Sequence, residues 1–150
     1  MNIEQNIIIS TNKDYEEIVR NSIKDFNHEN HPEQPIFEIY REKWYNEPFG
    51  FYALLDNQVI GGIIAHKKMQ WLDIDILYVN PNFREKKIGS HLMNKATKYC
   101  KQEDLIGIHL YTLDFQAKVF YEKQGFKLIA EIENWPKGIT RYEFIKYIDD

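Results

Sequence analysis

The residues with the clearest capacity for chemistry run Val79-Asn80-Pro81-Asn82-Phe83-Arg84-Glu85-Lys86-Lys87-Ile88-Gly89-Ser90-His91-Leu92. A strand-like run ends at Val79, a basic loop follows, and a helical pattern opens near Gly89. The start of a helix leaves backbone N–H groups without intrahelical partners and carries the positive end of the helix dipole, so it favours phosphate. Gly89 lets the backbone approach an anion closely, and Arg84, Lys86 and Lys87 add positive charge at the rim. The same residues also fit a solvated basic loop that only connects a strand to a helix, because a lone glycine-containing loop is a weak motif. Elsewhere reactive side chains show less order. His66, His91 and His109 lack metal-ligand spacing and read as surface or packing residues. Cys100, deep in a helical pattern, reads as core rather than as a nucleophile. No metal or redox cofactor is expected.

Elements must hold that loop in place. Ile7-Ile8-Ile9 reads as a short buried strand. Ser10, Thr11 and Asn12 offer helix caps, with Asp14, Glu16 and Glu17 suited to a first turn. Ile18, Val19, Ile23 and Phe26 then recur at helical spacing, so a helix is predicted over residues 12–27. Residues 28–35 read as a loop, and a second helix over 36–46 would bury Phe37, Tyr40 and Trp44. Strands at 49–55 and 59–66 flank Asp56-Asn57-Gln58, which is hairpin chemistry. A strand at 71–79 has Leu72, Ile74, Ile76 and Tyr78 on one face, with Trp71, Asp73, Asp75, Leu77 and Val79 on the other. A helix over 88–102, a strand over 105–113 and a helix over 115–124 follow, the last ended by Gly125 as a C′ glycine. Strands at 126–133 and 140–148 close the chain. The order β-α-α-β-β-β-α-β-α-β-β predicts a mixed α/β (α+β) fold: a mostly antiparallel sheet with one central parallel β-α-β crossover, flanked by helices.

Bulk properties narrow the class. The 150 residues, 43% of them apolar, suit one domain spanning 1–150. A net charge of -4 with dispersed Lys and Arg argues against a nucleic-acid partner. No apolar run approaches the roughly 20 residues that cross a bilayer, and the start lacks a signal-like pattern. Cys100 is the single cysteine, so no intrachain disulfide can form and a reducing cytoplasm is expected.

Arg84-x-x-Lys87-x-Gly89, preceded by Leu77-Tyr78-Val79, resembles the pyrophosphate-binding loop of the GNAT superfamily of N-acetyltransferases. Downstream, Phe115-Gln116-Ala117-Lys118-Val119-Phe120-Tyr121-Glu122-Lys123-Gln124-Gly125-Phe126 is similar to the family's second signature, an Ala followed by Tyr-x-x-x-Gly-Phe. With Trp135-Pro136-Lys137-Gly138 it further resembles a subgroup of small bacterial members. Two residues depart from the pattern. Lys87 stands where the family usually has its first glycine, so the loop takes an ordinary φ there or tolerates strain. Asp114 replaces an Asn common three residues before the alanine.

The resemblance implies that the parallel strands splay around acetyl-CoA, the acyl donor. Leu77, Tyr78 and Val79 would pair with its pantetheine arm. The backbone of Arg84, Glu85, Lys86, Lys87, Ile88, Gly89 and Ser90 would hold its pyrophosphate. Asp114, Ala117 and Phe120, in the second signature, would lie beside it. It implies that Tyr121 serves as general acid or hydrogen-bond donor to the departing sulfur; a core tyrosine is the alternative. Asp73 or Asp75, two apart and so on one face of a strand, would take a proton from the attacking ammonium, directly or through water: Asp75 stands near where many members carry a glutamate, and a bulge in the strand would present Asp73 instead. Both also fit as solvent-facing strand residues. Trp44, Tyr45, Phe49 and Tyr52 fit an acceptor pocket or plain core. The implied activity is acetyl transfer to a primary amine of a small molecule. Acetylation of a protein or peptide, and a non-catalytic acyl-CoA-binding module, stay open beside it. A homodimer through the C-terminal strands is expected because exposed sheet edges are commonly paired.

Overall fold

The computed structural model describes residues 8–36 and 47–148. Residues 1–42 and 43–150 form two compact units. In the first, Asn12 Oδ1 accepts from the Asp14 N–H at 3.0 Å and opens a 3-10 turn, Lys13–Tyr15. Helix α1 (Glu16–Asn30) follows, with Glu16 and Glu17 in the first turn and an Arg20–Glu16 ion pair of 2.7 Å one turn apart. It runs three residues past the predicted end. Ile8 and Ile9 lie outside any strand, so the short initial strand is not formed where expected, Ile7 itself lying outside the described residues. Beyond Ile36, the predicted second helix, with Phe37, Tyr40, Trp44 and Tyr45, also lies outside them.

The second unit is one sheet of six strands: β1 (Phe49–Leu55), β2 (Gln58–Lys68), β3 (Trp71–Val79), β4 (Gly107–Leu113), β5 (Lys127–Ile132) and β6 (Arg141–Tyr147). Their order is β1-β2-β3-β4-β6-β5. Every neighbouring pair is antiparallel except β3 and β4, which the crossover helix α2 (Ile88–Gln102) makes parallel. The β1–β2 hairpin turns on Asp56 and Asn57, both at positive φ (48° and 62°), the primed-turn geometry that these two residue types tolerate best. Of the two C-terminal strands, β5 is the one at the sheet edge.

One face of the sheet carries the core. Ile63 and Ala65 of β2, Leu72 and Ile74 of β3, Ile108 and Leu110 of β4 and Phe144 of β6 cluster with Leu92, Met93, Ala96 and Cys100 of α2. Burying each of the larger side chains stabilises the fold by about 1.5–3 kcal/mol. Burial also pushes the Cys100 thiol up to about 12, which leaves it an inert packing residue.

Two local features depart from the expectations of the sequence. The β2–β3 register slips between Ile64 and Ala65: Ile64 pairs with Ile76 and Ala65 with Ile74, which leaves Asp75 as the extra residue of a bulge. The bulge flips the alternation of β3. Leu77 and Val79, rather than Ile76 and Tyr78, pack against the core, and Ile76 and Tyr78 are half exposed. The last helix, α3 (Lys118–Lys123), begins three residues later than predicted. The Gln116 side chain accounts for the delay: its Oε1 accepts from Thr112 Oγ1 and from the Leu113 N–H, both at 3.0 Å, which holds the preceding residues in a turn.

Candidate active site

Parallel pairing of β3 with β4 covers only Trp71–Gly107, Leu72–Ile108, Asp73–His109 and Ile74–Leu110. Past Ile74 comes the bulge at Asp75, and the two strands part. The gap opens into a cavity of about 900 Å³. Asp75 to Val79 form one wall, Tyr111 and Thr112 the other. Phe83, Arg84, Glu85, Lys87 and the first turn of α2 close one end, with Ala117, Phe120 and Tyr121 beneath.

The loop into α2 opens on a side-chain cap but reaches the helix without one. Asn80 Oδ1 accepts from the Asn82 N–H at 3.0 Å, and a 3-10 turn, Pro81–Phe83, follows. The Arg84 side chain folds back, Nε donating to the Val79 carbonyl at 3.4 Å. Lys86 lies over the Phe83 ring, 5.5 Å from its centroid. Glu85 and Lys87 both adopt left-handed backbone, at φ 65° and 60°. Lys87 therefore takes the strained rather than the ordinary conformation, at a cost of roughly 1–2 kcal/mol for a residue with a Cβ. It is the N-cap of α2 and supplies no side-chain cap; its carbonyl accepts the first helical bond, from His91 at 2.9 Å. The N–H groups of Ile88, Gly89 and Ser90 precede that bond and have no partner within the helix. All three residues line the cavity. A Cβ on Gly89 would meet the Phe120 ring at 3.1 Å, so the first turn of α2 lies tight against α3. Gln124 Nε2 donating to Ser90 Oγ at 2.9 Å ties the same two elements together.

Tyr121 is held from several sides. Its ring centroid lies 5.3 Å from that of Phe120 and 5.9 Å from those of Phe126 and Phe144. Gly125, at φ 85°, closes α3 with a Schellman pair: Gly125 N–H donates to Glu122 and Phe126 N–H to Tyr121, each at 3.0 Å. Tyr121 is thus a core side chain and a cavity-lining one at once. Burial raises its hydroxyl above the ordinary tyrosine value, so it is protonated at neutral pH.

The two aspartates have different surroundings. Asp75, in the bulge, lines the cavity; its side chain is 44% exposed and its Oδ2 lies 3.0 Å from His66 Nδ1. Asp73, 19% exposed, points Oδ1 at His109 Nδ1 (2.9 Å) and has Oδ2 3.8 Å from His66 Nε2. Burial alone would raise the Asp73 carboxyl. The hydrogen bond from His109 and the charges of His109, His66 and Lys68 outweigh it, so Asp73 sits below its ordinary value. His109 also faces Glu143 Oε2 through Nε2, at 2.7 Å. Its hydrogen bond to Asp73, against the opposing effect of burial and together with the bond to Glu143, raises it.

Of the residues that the sequence singled out, Asp75, Leu77, Tyr78, Val79, Arg84, Glu85, Lys87, Ile88, Gly89, Ser90, Ala117, Phe120 and Tyr121 surround this one space. Asp73, Lys86 and Asp114 do not. Asp114 instead latches the start of β6: its Oδ2 accepts from the Thr140 N–H and its own N–H donates to the Thr140 carbonyl, both at 3.0 Å. Sequence reasoning missed Tyr111, Thr112, Phe115 and Gln116, which complete the β4 side, and missed the partners of His66 and His109. Those partners lie across three strand pairs, β2–β3 for His66, β3–β4 and β4–β6 for His109, and pairing between distant strands has no local signal. Among the described residues no group of three or more His, Cys, Asp or Glu side chains is disposed to hold a metal ion, and no helix is long and apolar enough to cross a membrane.

The profile of the Acetyltransferase (GNAT) family matches residues 16–126. This chain belongs to that family. Blasticidin-S acetyltransferase of Streptomyces morookaense is 37% identical over 102 residues, covering 67% of this chain and 75% of the relative. Among solved structures, an acetyltransferase from Bacillus cereus ATCC 14579 superimposes with a TM-score of 0.69 at 22% identity, over 97% of this chain and 99% of the other. A protein described as a streptothricin acetyltransferase from Bacillus anthracis str. Ames, solved in complex with acetyl coenzyme A, gives a TM-score of 0.64 at 25% identity, over 69% of this chain and 64% of that one. The six-stranded, mostly antiparallel sheet with its flanking helices is the fold of this acetyltransferase family.

Proposed function

We propose that this acetyltransferase moves an acetyl group from acetyl-CoA to a primary amine of a small molecule by direct attack. The observation that carries the reading is the convergence on one cavity of an uncapped helix start, an unpaired strand edge, a buried tyrosine and a half-exposed carboxylate. The free N–H groups of Ile88, Gly89 and Ser90, with the dipole of α2, suit a pyrophosphate. The edge of β3 from Leu77 to Val79, released from β4, offers backbone partners to the amides of a pantetheine arm. Blasticidin-S acetyltransferase, named for a small-molecule acceptor, supports that acceptor class here.

In this reading Asp75 takes a proton from the acceptor ammonium, directly or through one water. The free amine then attacks the thioester carbonyl, the C–N bond forms, and the carbon–sulfur bond breaks as the nitrogen gives up its second proton, which ends on the departing sulfur directly or by restoring Tyr121. Tyr121 donates its proton, or a hydrogen bond, to the departing thiolate. Asp73, engaged by His109 and outside the cavity lining, leaves Asp75 as the carboxylate that reaches the acceptor.

Thermal unfolding with and without acetyl-CoA, followed by thiol release against a panel of primary amines that includes blasticidin S, tests the reading. A raised Tm and amine-dependent thiol release are expected. An unchanged Tm at saturating acetyl-CoA sinks the donor assignment. A raised Tm without turnover on any amine favours a binding module, the alternative that the strained Lys87 supports.

A further inference from the structure

Behind the cavity, on the sheet face opposite α2, acidic and basic side chains alternate from β2 to β6. Asp75 meets His66 at 3.0 Å; Asp73 lies 3.8 Å from His66 and 2.9 Å from His109; His109 meets Glu143 at 2.7 Å; Arg141 Nε bonds Glu143. The far end returns to the cavity, because the Arg141 guanidinium lies 3.8 Å above the ring of Tyr111. One end of the chain is therefore a residue of the β3 wall and the other braces a residue of the β4 wall.

His109 is the middle of this chain. An ionised carboxylate only accepts hydrogen bonds, so a ring nitrogen facing one must carry a proton. His109 faces a carboxylate with both nitrogens, and only the imidazolium donates from both. It sits one residue before the last β3–β4 pair, Ile74–Leu110, so it joins β3, β4 and β6 at the point where the strands begin to part.

We propose that His109, as an imidazolium strut between Asp73 and Glu143, is a positioning residue that sets how far β3 and β4 splay and thereby shapes the acyl-donor cavity. This rests on the acetyl-CoA reading above. Loss of one proton turns a donor into a lone pair facing a carboxylate. One of the two bonds is lost, the negative charge of Asp73 and Glu143 is no longer balanced at that point, and the walls are free to move. The charged and titratable groups facing the strut are Asp73 and, through it, His66, Lys68 and Asp75 from β2 and β3, and Glu143 with Arg141 from β6. The raised proton affinity of His109 agrees with this arrangement.

The test is ¹⁵N NMR of the histidine side chains from pH 6 to 10, with acetyl-CoA affinity measured at the same pH values on the wild type, His109→Gln and Glu143→Gln. At pH 7.5 both ring nitrogens of His109 should be protonated, where free imidazole with a pKa of about 6.5 is mostly neutral. Acetyl-CoA affinity should fall about tenfold as that signal titrates, the scale of one charge-assisted hydrogen bond lost. Glu143→Gln should move the His109 midpoint and the affinity midpoint to lower pH together. His109→Gln should bind weakly at every pH without that step. A neutral His109 tautomer at pH 7.5 overturns the strut. So does affinity that ignores pH, or two midpoints that do not move together. Failure of the wild type to bind acetyl-CoA at any pH would instead overturn the donor reading, and this inference with it. Glu143→Gln, which keeps its size and an acceptor oxygen, keeps the test alive if His109→Gln does not fold.

Discussion

The start of α2 lines the cavity and the end of α3 secures a side chain that lines it, and the two helix ends obey opposite rules. At the end of α3 every local preference is met. Gly125 takes the left-handed position, the Schellman bonds fill the orphan carbonyls, and Phe126 packs on Tyr121. At the start of α2, Glu85 and Lys87 occupy left-handed backbone that glycine would fill without strain, and no side chain caps the helix. Backbone donors left open and strain left in place are tolerable only where something else meets them, and the cavity is where a diphosphate would. The well-capped end fixes Tyr121; the open end suits a ligand.

Removing the hydroxyl that the ordered end positions should have the largest effect. Tyr121→Phe is expected to lower kcat about 100-fold or more, the usual worth of a general acid, with the KM for acetyl-CoA and the Tm nearly unchanged. A kcat within a few-fold of wild type would leave Tyr121 as core alone. Next comes the cap itself. Gly125→Ala places a Cβ at φ 85° and should destabilise by about 1–2 kcal/mol, a fall in Tm of about 5 °C. Lys87→Gly, at the open end, should act in the opposite direction and more weakly. Relief of strain, less the extra freedom of glycine in the unfolded chain, leaves a gain of about 0.5 kcal/mol. A lower Tm for Lys87→Gly would mean that the loop is not strained at that residue.

The sheet adds a pH dependence through Asp73 and His109, whose proton affinities the fold shifts. The folded-state pKa of His109 is raised, so its contribution to stability is complete below about pH 6.5 and is lost as pH rises through the folded value. That of Asp73 is lowered from 3.8, so its contribution is present above that pH and lost as pH falls through the folded value. Chemical denaturation across pH should show a plateau between these limits in wild type, Gly125→Ala and Lys87→Gly alike. A variant of either helix end that alters the profile would contradict the separation.

The same contrast explains what the sequence disclosed. Signals within a few residues were readable: the Asp56-Asn57 turn, the C′ role of Gly125, and the basic loop opening a helix at Gly89. The position of the bulge was not, because it arises from the pairing of β2 with β3 rather than from β3 alone; it presents Asp75 to the cavity rather than Asp73 and moves Leu77 and Val79 onto the core face. His109 lies 36 residues from Asp73 and 34 from Glu143, and nothing near it in the chain marks it as more than a strand residue. Asp114 matched a motif position, yet its carboxylate is occupied by Thr140.

The most direct test of the central claim is mapping of backbone amide shifts during titration with acetyl-CoA. The largest changes should fall on Ile88, Gly89 and Ser90 and along Leu77, Tyr78 and Val79, with Tyr121 next. Saturable changes confined to other surfaces, with these amides unmoved, would contradict the assignment of the splayed β3–β4 cavity as the acyl-donor site.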